Sequence, residues 1–319
     1  MPKLVVTDSN FPDLSIERGL AANADVELES IQAESPAEVI ETASDADGLL
    51  TQYLDLPAEV FEGLSNLQVV GRYGIGVDSV DLTAATAANV QVLNVPTYCI
   101  DEVSTHALAL LLACARKIPQ FNKTVKAGGW DWTHGKPIHR LTGSILGLAG
   151  FGNVSQELAK KAQALGVDVH VYDPYLSAEE IREEGARKVD FDTLLSDSDF
   201  ISVHVPLTEE TESLFDLSSF SQMKETAILI NTARGEVVDV EALSSALDEG
   251  EIASAGLDVL PEEPPEDLPL LNREDAILTP HVAWYSEESQ IELRRTITED
   301  VLRVLSGETP ENLVNSGVV

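Results

Sequence analysis

The feature that most limits what this chain can become is an alternation of short apolar segments with amphipathic ones, run through twice. Lys3–Thr7, Val26–Ser30, Gly48–Thr51, Gln68–Arg72 and Val90–Asn94 read as strands, and the first four gaps between them carry helical spacing. Parallel neighbours cannot be joined by a tight hairpin, so each connection must cross over, usually as a helix. The series therefore predicts one layered α/β domain. Near Asn94-Val95-Pro96-Thr97 the pattern changes, and Asp101 is placed to cap a helix running through His106, Leu110 and Ala113 to about Lys117. A second alternation begins at Ser144. It holds strand Ile145–Ala149, helix Val154–Leu165 and strand Asp168–Tyr172, then strands near Phe200–Val205, Ala227–Asn231, Ile252–Val259 and Ala276–Leu278. The last segment, Glu287–Leu305, reads as a helix with Ile291, Ile297, Val301, Leu302 and Leu305 as its apolar positions, stopped by Gly307 and Pro310. Periodicity does not decide whether this helix completes the second domain or returns to the first.

A chain of 319 residues with 44% hydrophobic residues is long enough to bury two cores. Its 55 acidic against 20 basic residues leave a formal net charge of −35, which argues against a nucleic-acid partner because phosphate binding needs a basic surface. The carboxylates form no tail; they are spread in pairs such as Glu179-Glu180, Glu183-Glu184 and Glu287-Glu288. A dispersed acidic shell fits a halophilic protein, since concentrated salt screens its self-repulsion. Cys99 and Cys114 have neither CxxC nor Cys/His spacing, so no disulfide framework and no metal site are expected. Met1-Pro2-Lys3-Leu4-Val5-Val6 runs directly into a strand pattern without a signal-cleavage region, and the longest apolar stretch, Ala107 to Ala115, is too short to span a bilayer. A cytoplasmic protein with no membrane partner is the expectation.

The stretch Gly147-Leu148-Ala149-Gly150-Phe151-Gly152-Asn153-Val154-Ser155 joins a strand to a helix whose apolar positions Val154, Leu158, Ala162 and Leu165 share one face. It is a dinucleotide fingerprint with its third glycine replaced by Ser155. Gly150 and Gly152 allow a tight turn and a close approach of backbone to a pyrophosphate, where the free N–H groups and dipole of a helix N-terminus favour an anion. Ser155 should loosen helix–strand packing without removing that anion site. Asp173, about twenty residues further on and at the end of the next strand, suits the ribose hydroxyls of NAD and repels the 2′-phosphate of NADP. NAD(H) is favoured, with NADP(H) possible. A turn residue before Pro174 is the plain alternative for Asp173.

Arg234, Asp258, Glu263 and His281 all fall at or just after strand ends, where open parallel sheets bind their ligands. Singly, each has an ordinary explanation: a loop cap, a solvated acid, a buried loop histidine. Together with Arg72-Tyr73-Gly74-Ile75-Gly76-Val77-Asp78, Asn94-Val95-Pro96, Asp173-Pro174-Tyr175, Asn231-Thr232-Ala233-Arg234-Gly235, Gly256-Leu257-Asp258-Val259, Glu263-Pro264 and Thr279-Pro280-His281, they resemble the D-isomer-specific 2-hydroxyacid dehydrogenase family over nearly the whole chain. His281-Val282-Ala283-Trp284-Tyr285-Ser286-Glu287 looks most like the branch that contains the C-terminal binding proteins, transcriptional co-regulators built on this fold.

The resemblance implies two Rossmann-like/flavodoxin-like α/β domains with parallel sheets and a cleft between them. Residues 1–98 would begin the substrate-binding domain, 99–286 would form the dinucleotide-binding domain, and 287–319 would return to the first. It implies a homodimer with interface elements near Asp101–Ala127 and Trp130–Arg140. It also implies NAD(P)-dependent interconversion of a small 2-keto acid and its D-2-hydroxy acid. In that scheme His281 exchanges the proton, Glu263 holds the other ring nitrogen and the ring's tautomer, and Arg234 clamps the carboxylate in a bidentate fork. The backbone of Gly74, Ile75 and Gly76 would meet the same carboxylate, with Arg72, Tyr73 and Trp284 lining the substrate pocket. Cofactor contacts carried over from the family are Gly150, Phe151, Gly152, Asn153, Val154, Asp173, Val205, Pro206, Thr211, Thr232, Ala233, Arg234, Asp258 and His281. His106 is read as structural. The competing reading is an NAD(H)-responsive co-regulator or sensor on the same fold.

Overall fold

The computed structural model describes residues 1–318. It divides into two compact units, Met1–Cys99 with Ser286–Val319, and Ile100–Tyr285. The first contains β1 (Lys3–Val6), α1 (Ser15–Asn23), β2 (Glu27–Ser30), α2 (Pro36–Thr42), β3 (Gly48–Thr51), α3 (Ala58–Gly63), β4 (Val69–Arg72), α4 (Leu82–Ala87) and β5 (Gln91–Leu93). All pairs are parallel, in the order β2-β1-β3-β4-β5, the flavodoxin-type doubly wound order. Burial follows position: central β3 is buried at every residue, whereas edge strand β2 alternates exposed and partly buried residues and carries Glu27 and Glu29 outward.

The second unit contains α5 (Ile100–Ala115), α6 (Ile118–Lys126), β6 (Ile145–Ala149), α7 (Asn153–Ala164), β7 (Asp168–Tyr172), α8 (Ala178–Glu183), β8 (Arg187–Lys188), α9 (Phe191–Asp197), β9 (Phe200–Val203), α10 (Leu217–Phe220), β10 (Ile228–Asn231), α11 (Val240–Glu249), β11 (Ser254–Leu257) and β12 (Ala276–Leu278). Its seven-stranded parallel sheet has the order β12-β11-β10-β9-β6-β7-β8. The chain builds outward from β6 through β7 to β8, then returns to the other side of β6 with β9. The order therefore reverses between β6 and β9, where a doubly wound sheet opens a crevice at its carboxyl edge. One face carries a core of Leu194, Leu195, Phe215, Phe220 and Leu243; the other carries Leu110, Leu111, Leu158 and Ile181.

The closing helix α12 (Glu287–Leu305) belongs to the first unit, where it packs on α1 and β4 and buries Leu293, Ile297 and Val301. Its Arg294 forms a bidentate ion pair with fully buried Glu17 of α1, Nε to Oε1 at 2.8 Å and Nη2 to Oε2 at 2.7 Å. Asp101 lies inside α5 rather than capping it, and its carboxylate takes Lys161 Nζ of α7 at 2.6 Å. Lys117, at φ 50°, breaks the expected helix and starts a second one, α6. No helix among the described residues is long and apolar enough to cross a membrane.

Candidate active site

Every candidate residue of the second unit sits at the carboxyl edge of its sheet. Gly150 follows β6, Asp173 follows β7, Val205 and Pro206 follow β9, Thr232 to Arg234 follow β10, Asp258 follows β11, and His281 follows β12. At the β6 turn Gly150 has φ 91°, and a Cβ there would stand 2.8 Å from the His204 carbonyl oxygen. Only glycine fits so close to the neighbouring strand end. The helix that follows has no side-chain cap on its first turn, and the space beside Gly152 is open for 4 Å around the place a Cβ would occupy. Uncapped N–H groups of a twelve-residue helix facing open space suit a pyrophosphate. Thr232 Oγ1 is buried without a hydrogen-bond partner, a polar atom that a bound carboxamide would satisfy. These residues fit a nicotinamide dinucleotide.

Ser155 is fully buried and donates to the Gly152 carbonyl at 3.1 Å, so the third fingerprint position is filled without opening the helix–strand contact. Asp173 shapes the loops on either side of it. Its Oδ2 accepts the Phe151 N–H at 3.0 Å, and its Oδ1 accepts the N–H groups of Tyr175 and Leu176. Three of about four lone-pair directions are thus committed to shaping the loop, leaving one for a ribose hydroxyl. Thr211 likewise shapes its own loop, donating to the Pro206 carbonyl at 2.6 Å and accepting the Thr208 N–H at 2.8 Å.

His281 and Glu263 are paired. His281 Nδ1 lies 2.7 Å from Glu263 Oε2, whose other oxygen accepts the Leu260 N–H at 2.9 Å. Burial pushes the Glu263 carboxyl up, but the hydrogen bond and charge of His281, the Leu260 N–H and the Arg234 guanidinium outweigh it, and the net shift is downward. With Nδ1 engaged, Nε2 is the nitrogen left to meet a substrate. Arg234 is carried on a turn held by Asn231, whose side chain is 1% exposed, donates to the Arg234 carbonyl at 2.7 Å and accepts the Ala233 N–H at 3.0 Å. Trp284 is partly buried and meets Tyr285 edge to face.

Asp258, 1% exposed, acts as a staple. Its Oδ1 accepts the Val282 N–H and its Oδ2 the Ala283 N–H, at 3.0 and 2.8 Å, fixing the loop just after His281. His281 itself adopts φ 50°, unfavourable for a residue with a side chain, and its N–H is held by the carbonyls of Asp258 and Thr279.

In the first unit, Arg72 ends β4, and Tyr73, Gly74, Ile75 and Gly76 follow it at the carboxyl edge of that sheet. The Arg72 guanidinium lies over Gly74, where a Cβ would collide with its Nη1. Asn94 Nδ2 donates to the Ile75 carbonyl and the Val95 N–H to that of Gly74, which explains the Asn94-Val95 motif. The side chain of Tyr73 turns away from any ligand. It is 2% exposed, its hydroxyl donates to Glu17 and its ring meets Phe11 edge to face, so only its backbone remains for a substrate. A cluster that no motif announced stands at the same edge: Asp8 accepts the N–H groups of Gln52 and Tyr53 and the Thr51 hydroxyl.

The model of the D-isomer specific 2-hydroxyacid dehydrogenase NAD binding domain matches residues 108–283, more than half of the chain. The chain belongs to the D-isomer-specific 2-hydroxyacid dehydrogenases. A glyoxylate reductase from Korarchaeum cryptofilum is 38% identical over 312 residues, 95% of this chain and 94% of that one. A D-3-phosphoglycerate dehydrogenase from Archaeoglobus fulgidus is 42% identical over 259 residues, 81% of this chain. This chain spans 49% of the length of that relative. Among solved structures, the NAD-complexed D-isomer specific 2-hydroxyacid dehydrogenase of Lactobacillus delbrueckii ssp. bulgaricus superposes with a TM-score of 0.81 at 27% identity, covering 98% of this chain and all of that one.

Proposed function

We propose that this protein is an NAD(P)-dependent D-2-hydroxyacid dehydrogenase that reversibly reduces a small 2-keto acid, with His281 as the acid/base. The observation that carries the reading is the His281–Glu263 pair at 2.7 Å, set with Arg234 on the same sheet edge as the dinucleotide loop. When bound, the nicotinamide supplies or accepts the hydride at C2. Arg234 binds the substrate carboxylate through its planar fork and polarises the keto group. His281 Nε2 delivers the proton to the keto oxygen, so hydride and proton together convert C=O to CH–OH. Glu263 keeps Nδ1 engaged, which aims Nε2 at the reacting oxygen. Arg72, Trp284 and the backbone of Gly74 to Gly76 contribute to substrate recognition. The sensor reading is not favoured, because a sensor needs the glycine loop but no acid paired with a carboxylate, and the relatives bear the names of dehydrogenases and a reductase.

NAD(H) is favoured because Asp173 opposes a 2′-phosphate. Arg187 and Lys188 line the same hollow of about 560 Å³ beside Asp173, which leaves NADP(H) as a second cofactor. A homodimer is supported by apolar side chains on and after α6, where Ile118, Trp130 and Trp132 are 56%, 89% and 69% exposed. The dispersed negative charge supports operation in concentrated salt.

The test is oxidation of NADH and NADPH in low and multimolar salt against glyoxylate, pyruvate, hydroxypyruvate, 3-phosphohydroxypyruvate, 2-ketoisocaproate and phenylpyruvate. Turnover on any of them supports the assignment and ranks substrate and cofactor. A folded protein that binds NADH tightly and turns over none of them overturns it. His281→Ala is expected to lower turnover by about two to four orders of magnitude with cofactor binding retained. Near-normal turnover in that variant would remove His281 from the proton transfer.

A further inference from the structure

We infer that His106 is a positioning residue that fixes the loop bearing His281 through a relay of Thr279 and Asp258. The histidine lies on α5, the helix that packs across β10, β11 and β12, and its Nε2 stands 3.0 Å from Thr279 Oγ1 and 3.5 Å from Asp258 Oδ1. Thr279 Oγ1 in turn lies 2.5 Å from Asp258 Oδ1. A hydroxyl has one proton. At so short a separation that proton must lie between the threonine and the carboxylate, because Asp258 already accepts the Val282 and Ala283 N–H groups and two bare oxygens would repel. The threonine oxygen therefore has only lone pairs to offer His106, and the ring must carry its proton on Nε2.

The order of donation follows: His106 Nε2–H to Thr279, Thr279 O–H to Asp258, and Asp258 to the backbone of Val282 and Ala283. His281 sits inside this frame. The carbonyls of Asp258 and Thr279 accept its N–H, and the next two N–H groups end on the Asp258 carboxylate. Its backbone, at φ 50°, has an intrinsic cost and is held by these bonds rather than by its own preference. His106 is the outermost member of the relay, and its helix supplies the rigid platform. This role differs from that of Glu263, which orients the imidazole of His281 and not its backbone.

Two measurements on the ligand-free protein test the relay. Nitrogen-15 NMR of the histidine rings is expected to show His106 protonated on Nε2; a ring protonated on Nδ1 alone overturns the inference. Amide hydrogen exchange at Val282 and Ala283 is expected to quicken about tenfold or more in His106→Phe, which keeps a planar ring and removes the N–H. His106→Gln, which restores an N–H donor near the Nε2 position, should return it toward the native rate, and Thr279→Val should reproduce the His106→Phe effect without adding to it in the double variant.

The kinetic arm rests on the dehydrogenase reading. His106→Phe should lower kcat about ten- to a hundredfold with the melting temperature little changed, and His106→Gln should rescue it. Unchanged exchange and unchanged kcat in folded His106→Phe, or a His106→Gln as impaired as the phenylalanine variant, overturns the positioning role. Failure of the native enzyme to reduce any keto acid would refute the proposed function while leaving the exchange and ring-tautomer arms to decide the relay.

Discussion

His204 stands just past the end of β9, its Nε2 2.8 Å from Ser202 Oγ, and burial lowers its pKa from the usual 6.5 to about 4. The folded protein then resists a proton that the unfolded chain accepts. Between pH 6.5 and about 4 the unfolded state binds more protons, so stability is full above this window and falls as pH falls through it. His204→Gln, which keeps a group able to reach Ser202, should flatten that decline in urea titrations at pH 7, 6 and 5; an undiminished slope would place the acid sensitivity elsewhere. At this scale the sequence is informative where chemistry alone selects a residue. Arg234, Glu263 and His281 follow strands in the sequence, and the structure brings Glu263 and His281 within 2.7 Å of each other at the carboxyl edge of the sheet. It is silent where a role depends on direction. Tyr73 lies in a glycine-rich motif that points to substrate, yet its ring turns inward to Glu17 and Phe11. Thr279 and Asp8 act through partners 21 and 44 residues away, and no local pattern records such a bond.

The docking of α12 on α1 depends on a charge pair placed where a leucine would ordinarily lie. Glu17 is fully buried, Arg294 nearly so, and the guanidinium also donates to the Asp13 carbonyl and lies over the Phe11 ring. Arg294→Leu would strand the Glu17 carboxylate and is expected to cost about 3–5 kcal/mol in urea unfolding. The double variant Glu17→Leu with Arg294→Met, which removes both charges, should recover most of that loss. Equal losses in the single and double variants would show that packing and not pairing holds the helix. The helix itself is legible from its apolar spacing and from the Gly307 and Pro310 that follow it. Periodicity leaves its berth open, because Arg294 reads as part of a solvated polar face, and only the family resemblance points to the first unit. Edge strand β8 is silent in the sequence for a related reason: Arg187-Lys188 has no apolar period, and an edge strand needs none.

Over the whole molecule, a formal charge of −35 sets a self-repulsion that depends on the ionic atmosphere. The screening length shrinks from about 8 Å at physiological ionic strength to about 3 Å at 1 M. The melting temperature is therefore expected to rise from 0.1 M to multimolar KCl and then level off, while an uncharged osmolyte gives no such early rise. A flat or falling curve would remove the salt-adapted reading. Net charge and the double alternation are legible from composition and spacing alone, and both sheets are parallel as that alternation requires. The order of strands within them is not, since nothing local to Phe200–Val203 says that β9 must return to the far side of β6. The connectivity has a further consequence for the way the chain is made. As the polypeptide emerges, everything in Ile100–Tyr285 is synthesised before α12, so that unit can close while the first still lacks its last helix. Until Arg294 arrives, Glu17 has no buried cation to receive it, and the unit begun first is completed after the one begun second.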